Sequence, residues 1–148
     1  MLKKKMKKMK IFLIVSIILF IIVMAILGFS RNEDILPYIP SFLRNDKLLH
    51  GLAFGILGLL LYFFWNFNSI LRKWSVTALI MAFASIFSEV FQGLLPYRTI
   101  DWKDIGMNIL GSLLGISTAF WIDAIKLWIL KRSGWVLLDD PDLEMQRL

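Results

Sequence analysis

The sequence has no cysteine and only one histidine among its 148 residues. The missing thiols exclude disulfide bonds, thiolate metal sites and cysteine nucleophiles. There is no HExxH spacing, no phosphate-cradling glycine loop, no nucleophile elbow and no dinucleotide-binding motif. Several chemistries are therefore excluded from the start.

Charged residues are also scarce, at 19% of the chain, whereas 58% of the residues are hydrophobic and the mean hydropathy is +0.70. This composition indicates an integral membrane protein. The net charge of +6 is concentrated in the opening MLKKKMKKMK, which contains six lysines. Such a cluster before an apolar run is typical of a span flanked by anionic lipid, and no basic and aromatic stripe recurs elsewhere. We therefore expect no nucleic-acid partner.

Four long apolar runs follow, at residues 11–29, 48–65, 74–95 and 105–130. Open sheet edges cannot be satisfied in lipid, so runs of this length favour helices. The sequence predicts an all-α membrane protein with four transmembrane helices in a compact bundle.

Lysine and arginine predict the orientation. Twelve lie in the N-terminus, the 72–73 turn and the C-terminal end, and five lie in the two other connections. Both termini are therefore expected to be cytoplasmic, in a multi-pass protein of the cell membrane. The predicted organisation is a basic N-terminus (1–10), a transmembrane domain (11–132) and a cytoplasmic tail (133–148).

The first run has an alternative interpretation, because the lysine-rich start and the small residues near Gly28 also resemble a signal peptide with a cleavage site. The run exceeds the usual apolar core of about 7–15 residues, which favours a retained span. The connection that follows contains Pro37 and Pro40 among apolar residues, and we expect it to lie against the membrane surface.

Five polar residues interrupt the runs, and all fall near the outer membrane face: His50, Glu89, Gln92, Asp104 and Asn108. An ionisable group inside a span costs a few kcal/mol or more, so it is a functional-site hypothesis by default. The structural alternative is that such residues make hydrogen bonds between helices, or that Asp104 caps the fourth helix. Convergence from three spans favours a site.

Glycines accompany the polar residues. Gly111 and Gly115 share the helical stripe of Asp104 and Asn108, and Gly51 and Gly55 follow His50. Such stripes allow close helix packing, either within one chain or between chains, so the sequence is also compatible with a homo-oligomer.

The cluster has three chemical interpretations. His50, Glu89 and Asp104 are candidate catalytic residues, because histidine with carboxylates supplies a general acid and base. Arg98 and Lys103 suit phosphate or carboxylate recognition. The same three candidates could ligate a divalent metal, although the spacing matches no metal motif. No cofactor is predicted.

Three sequence blocks resemble the VanZ-like family of small bacterial membrane proteins. They are Asp46-Lys47-Leu48-Leu49-His50, then Glu89-Val90-Phe91-Gln92, then Arg98 to Asp104 with Asn108 and Gly111, and they cover about residues 44–116. The resemblance implies a four-helix layout. It carries over eight site residues: Asp46, Lys47, His50, Glu89, Gln92, Arg98, Asp104 and Asn108. Of these, Asp46, Lys47, Gln92, Arg98 and Asn108 are expected to bind substrate.

The family is named for a protein associated with low-level resistance to teicoplanin, a lipid-bearing glycopeptide. The first functional hypothesis is an outward-facing polar pocket of the cell envelope that binds lipid headgroups or lipidated molecules. The alternative is an intramembrane hydrolase or transferase acting on a lipid headgroup. A small proton-coupled transporter ranks last, because Glu89 lies near one face and no repeat is present. The expected partners are membrane lipids or lipid-linked envelope molecules.

Overall fold

Four long helices dominate the computed structural model, which describes residues 2–30, 36–38, 40 and 45–133. They are α1 (Leu2–Phe29), α2 (Asp46–Phe64), α3 (Ile70–Gly93) and α4 (Trp102–Arg132), and a short 3-10 helix (Leu36–Tyr38) lies between α1 and α2. The described ranges contain no strand. Each long helix is long and apolar enough to cross a membrane, α1 through its segment Lys8–Phe29. The predicted all-α membrane fold is confirmed.

Three of the helices begin before their apolar runs, because polar residues cap them. Asn45, Ser69 and Asp101 are the N-caps of α2, α3 and α4, and their side chains accept hydrogen bonds from backbone N–H groups in the first turns. The structural alternative, in which Asp104 caps the fourth helix, is therefore excluded, because Asp101 is the N-cap. Asp104 lies in the first turn of α4, where its carboxylate is directed at α2 instead.

The bundle has a partly polar interior and an apolar surface, as expected for a protein surrounded by lipid. Tyr62, Met81 and Ile116 form the centre of the core where α2, α3 and α4 meet. Polar side chains such as Thr77 and Ser85 are fully buried beside them. The apolar segment of α1 contributes no buried residue, and α1 packs mainly on α2.

Glycines bring α2 and α4 into backbone contact. A methyl group on Gly111 would overlap the backbone oxygen of Gly51, and one on Gly115 would overlap that of Gly55. The glycine stripes therefore pack against each other within one chain. These two faces are consequently not available as an interface for a homo-oligomer.

The helices also define two ends of the bundle. We call the end where α2 and α4 begin the polar end. At the opposite end, Asp123 of α4 accepts a bond from the Lys73 ammonium at 2.7 Å and one from the Tyr62 hydroxyl at 3.4 Å. The ion pair joins α3 to α4, and the Tyr62 hydroxyl adds α2. Neither contact was predicted from the sequence. The predicted tail at 133–148, apart from Ser133, and most of the loop at 31–44 lie outside the described residues.

Candidate functional site

His50 is held between α2 and α4 by Asn108. Its Nδ1 lies 3.1 Å from Asn108 Oδ1, and its Nε2 lies 4.0 Å from Asp104 Oδ2. A carboxamide oxygen can only accept a hydrogen bond, so Nδ1 carries the proton and donates it. Nε2 faces Asp104, at a separation too long for a hydrogen bond.

Lys47 links two carboxylates at the start of α4. Its ammonium lies 3.2 Å from Asp101 Oδ2 and 3.9 Å from Asp104 Oδ1. Asp101 also accepts the backbone N–H of Lys103 at 2.8 Å. This backbone hydrogen bond, with the nearby Lys47 ammonium, lowers the pKa of Asp101.

Glu89 reaches the same region from α3. Its Oε1 accepts the backbone N–H of Asp101 at 2.8 Å, and the residue is 2% exposed. In a capping box, the residue at the third helical position accepts this N–H. That residue here is Asp104, and Glu89 takes its place from another helix. Asp104 thereby remains available to face Lys47 and His50.

Asp46 joins the cluster instead of Glu89. The nearest ligand atoms of Asp46, His50 and Asp104 all lie within 4.8 Å of one another. His50, Glu89 and Asp104 were the metal-ligating set expected from the sequence, whereas the geometry groups the histidine with the two aspartates. We call Asp46, His50 and Asp104 the Asp–His–Asp cluster.

Arg98 connects the polar cluster to the end of α1. Its Nη1 lies 3.5 Å from Asp46 Oδ2, and its Nη2 donates to the Ser30 carbonyl at 3.4 Å. The neighbouring Tyr97 hydroxyl donates to the Phe29 carbonyl at 2.5 Å. The loop after α3 thus fastens α1 beside the site.

A cavity of about 470 Å³ opens between α1, α2 and α3. Its walls are mainly apolar and include Met24, Phe54, Leu57, Ala84 and Phe87. Its polar lining includes Asp46, His50, Gln92 and Arg98. Gln92 lies against Gly28 of α1, where any larger side chain would collide with it. The cavity therefore combines an apolar chamber with a polar rim.

The structure gathers all eight predicted site residues at the polar end. Asp46, Lys47, Asp104 and Asn108 lie near His50 between α2 and α4. Glu89 joins this group through the Asp101 N–H, whereas Gln92 and Arg98 lie at the rim of the cavity. Asp101 links Glu89 to Lys47 and was absent from the predicted site. Its position directly before a helix was the available signal, because aspartate is favoured there.

These features define a four-span membrane protein with a polar site at one end of the bundle. The profile of the VanZ/LLP1 family matches residues 4–123, and the chain belongs to this family. The match extends beyond the resemblance seen at 44–116 and includes most of α1. An uncharacterized protein of Schizosaccharomyces pombe is 35% identical over 133 residues, which cover 87% of this chain and 76% of that protein. No solved structure matches the chain.

Proposed function

We propose that this VanZ-family protein is a lipid-binding protein of the bacterial cell envelope, with its polar end facing outward. The headgroup of a lipid or lipidated molecule lies against Asp46, His50 and Arg98, and an acyl chain enters the cavity. Positively charged flanks on the opposite side of the predicted topology support the orientation.

The cavity is the observation that carries this proposal. Its volume of about 470 Å³ falls within the range of about 300–1,000 Å³ that ligand pockets occupy. Apolar walls suit a hydrocarbon chain, which forms no hydrogen bonds. A guanidinium at the rim suits phosphate or carboxylate, the groups that arginine binds in bidentate geometry. A ligand with both parts is a lipid.

Cavity filling tests the proposal. Ala53 lines the cavity, whereas its neighbour Leu52 is 46% exposed on the surface of α2. Ala53→Trp should displace bound lipid, and Leu52→Trp, the matched control, should not. The measurement is native mass spectrometry of protein purified in mild detergent, with lipid added at increasing concentration. Equal lipid occupancy in the two variants would contradict the proposal.

Glycopeptide resistance would be a consequence of this binding. If the cavity takes up a lipidated glycopeptide, expression in a susceptible bacterium should raise the concentration of teicoplanin needed for inhibition. Ala53→Trp should abolish that rise. A rise that is identical with Leu52→Trp and Ala53→Trp would disconnect resistance from the cavity.

The second candidate is an intramembrane hydrolase or transferase. The observation that favours it is the fixed orientation of His50, whose Nε2 lies 4.0 Å from the buried Asp104 while the ring borders the cavity. A histidine oriented in this way can act as a general base. Lipid extracts of cells expressing the wild type and His50→Ala should then differ. Identical lipid extracts would contradict a catalytic role and leave lipid binding as the proposed function.

A further inference from the structure

We propose that the Asp–His–Asp cluster binds a divalent transition-metal ion. Two ligands held about 2.0–2.2 Å from a tetrahedral ion lie roughly 3.3–3.6 Å apart. The ligand atoms of Asp46, His50 and Asp104 already lie within 4.8 Å of one another. Side-chain shifts that close these separations by up to about 1–1.5 Å would bring all three onto a single ion.

The hydrogen bond from His50 to Asn108 prepares the imidazole for this role. Metal-bound histidines almost always donate their second ring N–H to an oxygen, which fixes the tautomer and the ring orientation. Asn108 Oδ1 accepts at 3.1 Å from Nδ1, and Asn108 is fully buried. In the neutral imidazole, which is the form that binds metals, the ring nitrogen that faces Asp104 is consequently the one with a lone pair.

Asp104 supplies an independent observation. The residue is 8% exposed, and its buried Oδ1 has no hydrogen-bond partner among the described residues. The nearest ammonium, that of Lys47, is 3.9 Å away. A buried carboxylate oxygen without a hydrogen bond is costly. A cation that Asp104 binds through both carboxylate oxygens would contact Oδ1 as well as Oδ2, which faces His50.

The described residues at the polar end include more carboxylates than basic side chains. Asp46, Glu89, Asp101 and Asp104 supply four carboxylates, and Lys47, Arg98 and Lys103 supply three basic side chains. A metal ion would therefore enter a region that is rich in carboxylates.

The cluster lies on rigid elements. Asp46 and His50 are one turn apart on α2, so they share a face. Asp104 reaches them from α4, and backbone contact between Gly51 and Gly111 fixes the distance between the helices. Ligands on packed helices need little reorganisation to bind an ion.

One imidazole and two carboxylates suit Zn²⁺ or Mn²⁺ better than Mg²⁺, which prefers oxygen ligands and water. Three protein ligands leave a fourth position open. Because Asp46 and His50 also line the cavity, an ion here would border the chamber proposed for lipid. The inference does not depend on lipid binding, since the ion is measured without added lipid.

The first test uses the single histidine of the chain. The full-length protein, labelled with ¹⁵N-histidine and purified through a tag without histidine, is titrated with Zn²⁺ in detergent micelles and followed by NMR. We expect one equivalent of Zn²⁺ to change the Nε2 signal of His50 while Nδ1 remains protonated. An Nε2 signal that does not respond to Zn²⁺ would overturn the proposal.

Variants give effects of opposite sign. His50→Gln and Asp104→Asn should each abolish the stoichiometric Zn²⁺ found by equilibrium dialysis. Lys47→Gln should tighten binding by about tenfold, since it removes a positive charge within a few ångströms of the ion. Lys103→Gln, the matched control, removes the same charge from an exposed position and should have a smaller effect.

Asn108 is proposed as a positioning residue. Asn108→Leu should weaken Zn²⁺ binding by about 10–100-fold, as loss of such a partner does in known sites. Asn108→Asp, which keeps an acceptor for Nδ1, should bind more tightly than Asn108→Leu. Zn²⁺ binding that survives both His50→Gln and Asp104→Asn, or that is weakened by Lys47→Gln, would refute the site. Lipid binding that persists without Zn²⁺ would leave the proposed function intact.

Discussion

The contact between α2 and α4 leads to a paired prediction on two glycines of one helix. A Cβ on Gly111 would overlap backbone atoms of Gly51, whereas a Cβ on Gly106 would meet nothing within 4 Å. Both residues lie in α4 and both would be changed to alanine. Both substitutions therefore gain the higher helix propensity of alanine, but only Gly111→Ala introduces a clash with α2.

The expected magnitudes follow from these two terms. Alanine is about 1 kcal/mol more favourable than glycine inside a helix, so Gly106→Ala should raise the free energy of unfolding by up to that amount. Overpacking costs typically about 1–3 kcal/mol, and more where the obstacle is backbone that cannot rotate away. Gly111→Ala should therefore be less stable than Gly106→Ala by about 1–3 kcal/mol or more.

The assay is reversible unfolding in mixed micelles, with SDS as the denaturant and circular dichroism as the probe. For a chain of this size, each kcal/mol corresponds to about 2–4 °C in a thermal scan, which provides a second measurement. Gly111→Ala should also separate His50 from Asn108, because these residues lie on the two helices that are forced apart. Equal stability of Gly111→Ala and Gly106→Ala would refute the backbone contact.

Three further predictions concern the polar interactions, each measured by unfolding. Asp123→Asn should lower the free energy of unfolding by about 3 kcal/mol, because it leaves the Lys73 ammonium without its carboxylate. Adding Lys73→Met to this variant should recover part of the loss. Full stability of Asp123→Asn alone would contradict the ion pair. Glu89→Gln keeps an acceptor for the Asp101 N–H and should be more stable than Glu89→Leu by about 1–3 kcal/mol, whereas equal values would show that this bond is unimportant. The hydrogen bond from the Lys103 N–H and the nearby Lys47 ammonium hold the pKa of Asp101 below its usual 3.8. The ionised Asp101 carboxylate therefore contributes its full stabilisation above pH 3.8, and this stabilisation is lost as the pH falls through the lower pKa of the folded state. Asp101→Asn should consequently lose less stability on acidification than the wild type, and identical acid titrations would contradict this.

Much of the fold was predictable because length and hydropathy dominate in a membrane protein. The spacing of Asp104, Asn108, Gly111 and Gly115 identified one face of α4 correctly, since residues three and four apart share a face. Depth followed from the rise of the helix, so the polar residues of three spans could be assigned to one end of the bundle.

The pairing of those residues could not be predicted in the same way. Spacing gives the face and depth of a residue, but it does not say which neighbouring helix that face meets. Glu89 therefore looked like a partner for His50, whereas it accepts the backbone N–H of Asp101. The pair of Lys73 and Asp123 was missed for the same reason. Its members are 50 residues apart on two helices, and spacing along one helix does not show that they meet.

Photocrosslinking tests the central proposal, that the cavity holds an acyl chain, most directly. A phospholipid with a diazirine near the end of one chain is added to the protein in nanodiscs, and crosslinked residues are identified by mass spectrometry. We predict labelling of cavity-lining residues such as Ala53 and Ala84, and loss of that labelling in Ala53→Trp. Labelling confined to outward-facing residues such as Leu52 and Phe83, and unchanged in Ala53→Trp, would contradict the proposal.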